Sequence, residues 1–230
     1  PDFFIPDPWT QSKTDGSFWS NKIHNVLKQV VNDNAQGKIT KRSKLFLFLA
    51  LCRFSKPRNY VEYLLLVFGA FKGKRWNKAL FLDLFLCDIF IKLTLKNHTD
   101  FSTLFLNSFA HIQHHYFFNS EFYQGDSINP KDHIEANYDP MKDAAFFFDN
   151  RVKDLLNSFK DYDFLFATGL SQIPYRGEKF YYRLKNHSNF LTTLGIKFNS
   201  LNKRMTRDFE VIFASNIERD MAYKVLINIK

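Results

Sequence analysis

No run of this chain is apolar for the ~18 residues that a membrane span requires. The stretch 63–71 is stopped by Glu62 and Lys72, and 89–91 is held between Asp88 and Lys92. Cysteine is nearly missing as well. Only Cys52 and Cys87 occur in 230 residues, which sets aside a disulfide scaffold and zinc-finger spacing. Both lie inside apolar helical patterns and read as buried thiols of a reducing, cytoplasmic compartment, with one disulfide between them as the open alternative. A Gly-rich phosphate loop, a G-x-S-x-G nucleophile elbow and a dinucleotide fingerprint are also absent, which argues against the enzyme classes built on them. There is no internal repeat and no low-complexity tract. The first residue is Pro1 and no signal peptide precedes it, so the sequence reads as one whose true start lies upstream.

What is present is an ordinary globular balance, 45% hydrophobic and 24% charged, with 28 phenylalanines that read as core filling. The length suits one sizeable core with a helical subdomain. A formal charge of +9 and a pI near 9.4 favour anionic partners: a phosphorylated small molecule, nucleic acid or an acidic membrane surface. The basic residues are dispersed, apart from Lys41-Arg42-Ser43-Lys44 and Lys72-Gly73-Lys74-Arg75. That dispersion disfavours nucleic acid.

Along the chain, 3–5 reads as a short strand stopped by Pro6 and Pro8. Apolar spacing at Trp19, Ile23, Val26, Leu27 and Val30 predicts a helix over 18–31. Further helical patterns at 44–54, 59–71 and 76–96 make 18–96 a helix-rich cap or insertion. A helix is predicted over 143–162, a strand at 164–167, a helix at 188–194 closed by Gly195, a strand at 209–214 and a last helix or mixed segment over 217–226. Strands alternating with helices predict a single α/β domain, 1–230, with a largely parallel sheet flanked by helices.

The stretch on which this reading turns is 100–118. Its first half, 101–109, is strand-like and apolar; then His111, His114 and His115 follow within five positions. Open α/β sheets bind ligands beyond the carboxyl ends of their strands, where these imidazoles are expected to emerge. His111 and His114 are candidate ligands of a divalent metal, zinc or manganese, with Asp126, His133 and Asp139 nearest in sequence to complete the site. His111 and His115 are the candidate acid/base groups, and a purely structural role for the histidines is the competing reading. At the exit of the second strand, Thr168, Ser171 and Gln172 offer hydroxyls and an amide for an oxyanion or phosphate. Arg204 and Arg207 flank Thr206 and suit a bidentate clamp on a phosphoryl or sulfuryl group, with Asp208 orienting them.

The order of these features resembles the later part of the alkaline phosphatase superfamily, in the branch of type I phosphodiesterases and nucleotide pyrophosphatases. There a strand ends in an Asp-x-x-x-His metal pair within P-D-x-x-G-H-x-Y. Here Ala110-His111-Ile112-Gln113-His114-His115-Tyr116 lies over it, and His114 takes the place of the metal histidine. The family's next strand ends in Ser-Asp-His-Gly, where this chain has Phe166-Ala167-Thr168-Gly169-Leu170. Ala110 thus replaces a metal aspartate, no Asp-His pair follows the second strand, and the family's nucleophile would fall upstream of Pro1. The resemblance implies a divergent, metal-dependent hydrolase of phosphate or sulfate esters, with a glycan or lipid substrate. The alternatives are a binding-only member of the same fold and a glycan-modifying transferase.

Overall fold

The structure, a computed structural model, describes residues 3–8, 10, 12–32, 39–135, 137–168, 171–174, 184–203 and 208–229. Its elements run α1 (Phe18–Asn32), α2 (Lys41–Phe54), α3 (Tyr60–Phe71), α4 (Asn77–Asn97), α5 (Ser108–Tyr116), α6 (Pro140–Ser158), α7 (His187–Thr193), β1 (Ser200–Lys203), β2 (Phe209–Ile212) and α8 (Asn216–Ile227), with 3-10 turns at Pro57–Asn59 and Phe117–Asn119. The expected parallel α/β sheet is not found. Helices dominate, and the one sheet among the described residues is the antiparallel pair β1–β2, in the register Ser200↔Ile212 to Lys203↔Phe209. The expected strands at 3–5, 101–109 and 164–167 form no ladder among those residues. β-propensity brings an apolar segment to an extended form but supplies no partner for its main chain. Among the described residues, no helix is long and apolar enough to cross a membrane.

The chain divides into two compact units, Phe3–Leu47 with Glu178–Lys230, and Phe48–Gly177. In the first, Asp15 fixes the entry to α1. Its carboxylate accepts hydrogen bonds from the Phe4 and Ser17 amides, at 2.7 Å each, and from the Ser20 hydroxyl at 2.8 Å. Burial alone would raise the Asp15 pKa, yet these donors together hold it below its ordinary value. In the same unit α7, the hairpin and α8 enclose Leu191, Ile196 and Ala222. Gly195, at φ +71°, closes the end of α7, a backbone region that costs glycine little. Ser215 caps α8 by accepting from the Glu218 amide, and Glu218 reaches back to the Ala214 amide at 3.1 Å.

In the second unit α4 is central, packed against α3, α5 and α6. Leu80, Leu84, Phe85, Cys87, Ile89 and Ile91 are all buried along it. It also buries two carboxylates, each spent on the start of another element. Asp83 accepts the Ser108 amide at 2.8 Å and so caps α5 from across the core. Asp88 accepts the Lys56 amide (3.0 Å), the Asn59 side-chain amide (2.7 Å) and the Tyr63 hydroxyl (3.0 Å), which fixes the turn into α3. Burial raises the pKa of both carboxyls against the lowering effect of these donors. Cys52 and Cys87 are free thiols, Cys52 exposed and Cys87 buried.

Gly69 of α3 faces the buried Asn77, whose amide donates to the Leu66 carbonyl at 3.2 Å. A Cβ at position 69 would run into that amide. Gly69→Ala is therefore expected to lower the stability of the unit by about 1–3 kcal/mol, as overpacking does, despite alanine's better helix propensity. Urea unfolding of variant and wild type measures it.

Candidate functional site

The histidines sit on a helix, not on a strand end. Ser108, Ile112 and Tyr116, four apart, are the buried stripe of α5, and this spacing turns His111 and His115 out along its flank, one above the other. Their ring centroids are 4.7 Å apart. His114 projects elsewhere, and the Gln172 side-chain amide donates to its Nε2 at 3.2 Å. His133 joins from the irregular segment that follows α5. Its Nε2–H donates to the His115 carbonyl at 3.1 Å, and its ring stacks on Tyr116 with centroids 5.0 Å apart and planes 22° from parallel.

Beneath this cluster lies an aromatic column. Tyr116 meets Trp76 edge-on at 5.5 Å, and Trp76 meets Tyr138 at 5.4 Å. Trp76 Nε1–H donates to Asp143 Oδ2 at 3.0 Å, and Lys74 pairs with the same carboxylate oxygen at 3.0 Å. Start of α4, end of α5 and first turn of α6 are thereby tied under the histidines.

The electrostatics of the cluster run toward neutrality. Burial draws the His111 pKa down, and the nearby His114 adds to this. His115 is drawn down to about 4, first by burial of its inner side and then by His111, His133 and His114. Its outer edge remains open to solvent. At neutral pH both rings are uncharged, and a neutral imidazole offers a lone pair to a metal ion or a hydrogen-bond donor. As a general base at pH 7, a group with so low a pKa is poorly matched.

Of the residues expected from sequence, the structure brings together His111 and His115, and places Gln172 on His114. Thr168 and Ser171 are exposed. Arg204 and Arg207 lie outside the described residues. Asp139 is occupied in capping α6, where it accepts the Lys142 amide, and in holding the Glu121 amide, each at 3.0 Å. A metal ion would find two neutral imidazoles one helical turn apart, which fit as a pair of ligands. Among the described residues, no group of three or more His, Cys, Asp or Glu converges to hold such an ion.

Trp76, Tyr138 and Asp143 carry the site without standing out in the sequence. The legible signal was the four-residue spacing Ser108-Ile112-Tyr116, which marks a helix and pairs His111 with His115. The chain matches no family model, no curated protein and no solved structure.

Proposed function

We propose that this chain serves in the hydrolysis of phosphate or sulfate esters, carried by glycans or lipids, with a divalent metal, zinc or manganese, at the His111–His115 face of α5. The observation that carries this reading is the pair itself: two imidazoles one turn apart, both held neutral, which is the state a metal ligand must have. A bound divalent ion would supply Lewis acidity toward the ester oxygens. The neighbouring His114, on the same helix, is bonded to the Gln172 amide and would offer polar groups to the parts of the substrate away from the ester. The basic character of the chain as a whole attracts such an anionic substrate.

Elemental analysis of the purified protein beside a His111→Ala/His115→Ala variant tests the reading. The wild type is expected to hold about one zinc or manganese per chain and the variant none. Because both imidazole pKa values are drawn down, metal is expected to be retained further below neutral pH than a pair of ordinary histidines would allow. Loading with metal is then expected to give hydrolysis of nitrophenyl phosphate or nitrophenyl sulfate. A wild type that takes up neither metal from excess overturns the proposal.

A second reading is a non-catalytic glycan-binding domain, in which the exposed His114 and His115 and the half-buried His133 would offer polar edges to a sugar. Glycan binding in chelator-containing buffer, undiminished in the double variant, selects it.

A further inference from the structure

Two segments of the second unit, 101–106 and 163–168, lie outside every helix and strand. In the first, exposure alternates residue by residue: Phe101, Thr103 and Phe105 are exposed, Ser102, Leu104 and Leu106 half-buried. That is the period of an extended strand with one face covered. The inner face is Leu104, packed against the core cluster of Ile91, Leu155 and Phe159; Phe164 of the second segment packs against the same cluster. In that segment Phe164 and Phe166 stack with planes 7° apart, as side chains two positions apart do on an extended chain. The segments also leave from one place, for the Tyr162 hydroxyl donates to the Thr99 carbonyl at 3.0 Å. Yet among the described residues no backbone hydrogen bond engages either segment. Each presents a strand's donors and acceptors unused, beside Phe101 at 84% exposure, Phe105 at 66%, Leu165 at 94% and Phe166 at 59%.

We infer that this face is a self-association surface, on which a second copy of the chain pairs its own segments by strand addition. An extended segment set antiparallel to its symmetry mate satisfies both main chains, and the two-fold arrangement makes the patch its own complement. The area agrees. The four exposed side chains offer roughly 600 Å² per copy, at ~200 Å² for each when fully exposed. That approaches the ~800 Å² per partner of a standard interface. Left uncovered, two apolar edges with free donors and acceptors would be an aggregation template.

Sedimentation equilibrium across a range of protein concentrations tests the inference, together with hydrogen exchange of the amides of 101–106 and 163–168. Wild type is expected to dimerise, with those amides slowing as the dimer forms. Leu165→Lys is expected to raise the dissociation constant at least about thirtyfold, the effect of losing an interface hot spot, with the helical circular dichroism unchanged. Phe71→Lys, at an equally open site on α3 with Phe71 at 87% exposure, is expected to leave the dimer intact. A monomer at all concentrations, a dimer whose segment amides exchange as freely as the monomer's, or a dimer sensitive to Phe71→Lys and indifferent to Leu165→Lys each overturns it.

Discussion

Replacing Trp76 with alanine is expected to destabilise the second unit by about 3–5 kcal/mol, the cost of emptying a large buried aromatic site. Trp76 is 2% exposed, and its ring is the middle of the column from Tyr116 to Tyr138. Its removal also leaves Asp143 with one donor fewer, Lys74 alone among the described residues. The effect reaches the histidines, because Tyr116 is the platform on which His133 stacks, and His133 in turn is bonded to His115. With the platform loosened, water reaches His115 and its pKa is expected to climb from about 4 toward the ordinary histidine value. Histidine proton resonances followed through a pH titration read this directly, and chemical denaturation gives the stability loss. Trp76→Phe, which keeps a ring but not the indole N–H, is expected to show a smaller loss. An alanine variant as stable as wild type, with His115 still titrating near 4, contradicts the account.

Arg151→Ala is expected to cost a comparable 3–5 kcal/mol, for an electrostatic reason. The guanidinium is 3% exposed on α6, bonded to Glu62 of α3 at 2.8 Å and paired with Asp154 at 3.2 Å. Arg58 meets the far side of Asp154 at 2.8 Å, and the face of Phe147 lies 5.1 Å from the guanidinium carbon. Truncation leaves Glu62 and Asp154 with less compensation in a half-buried setting. Arg151→Met, which fills the volume, still leaves those carboxylates and is expected to recover only part of the loss. The pH dependence separates charge from packing. Burial already raises the Glu62 pKa against the lowering effect of Arg151, so without the arginine it rises further. A carboxyl whose folded pKa is raised stabilises the fold when protonated, and that contribution is lost as pH rises through the folded value. The deficit of Arg151→Ala is therefore expected to be smaller at about pH 4 than at pH 7. Denaturation at both pH values decides; an equal deficit at each marks the loss as packing alone.

Much of the helical frame could be read from spacing. The pattern at Trp19, Ile23, Val26, Leu27 and Val30 placed a helix over 18–31, and α1 runs Phe18–Asn32; the patterns over 59–71 and 76–96 correspond to α3 and α4. These are long segments whose periodic apolar faces are core, so local pattern and tertiary burial agree. The stretch from 101 failed for a different reason. Its first half has the composition of a strand and no ladder, and its second half becomes helix at Ser108. The start of α5 carries no local signal, because Asn107 makes no side-chain cap. The cap is Asp83, 25 positions earlier, a partner no local reading can supply. From sequence, His111 is coupled with His114 as a metal pair; in the structure a turn of helix sets His111 beside His115, while His114 meets Gln172. The strand at 209–214 survives as β2, yet its neighbour is β1, antiparallel, and not a distant strand reached by a crossover.

The two carboxylates of α4 have a bearing on uniqueness as distinct from strength. An apolar helix with buried residues around most of its circumference can turn about its axis and still keep oily contacts on every side. Asp83 and Asp88 are separated by about 140° at 100° per residue, and each meets main-chain donors that exist in one place only, the Ser108 and Lys56 amides. A rotation or one-residue slip of α4 would strand both charges in apolar surroundings at once. The raised carboxyl pKa values are the sign of a cost in stability. In return the unit has a single setting of its central rod, and with it a fixed position for the first turn of the helix that bears the histidines.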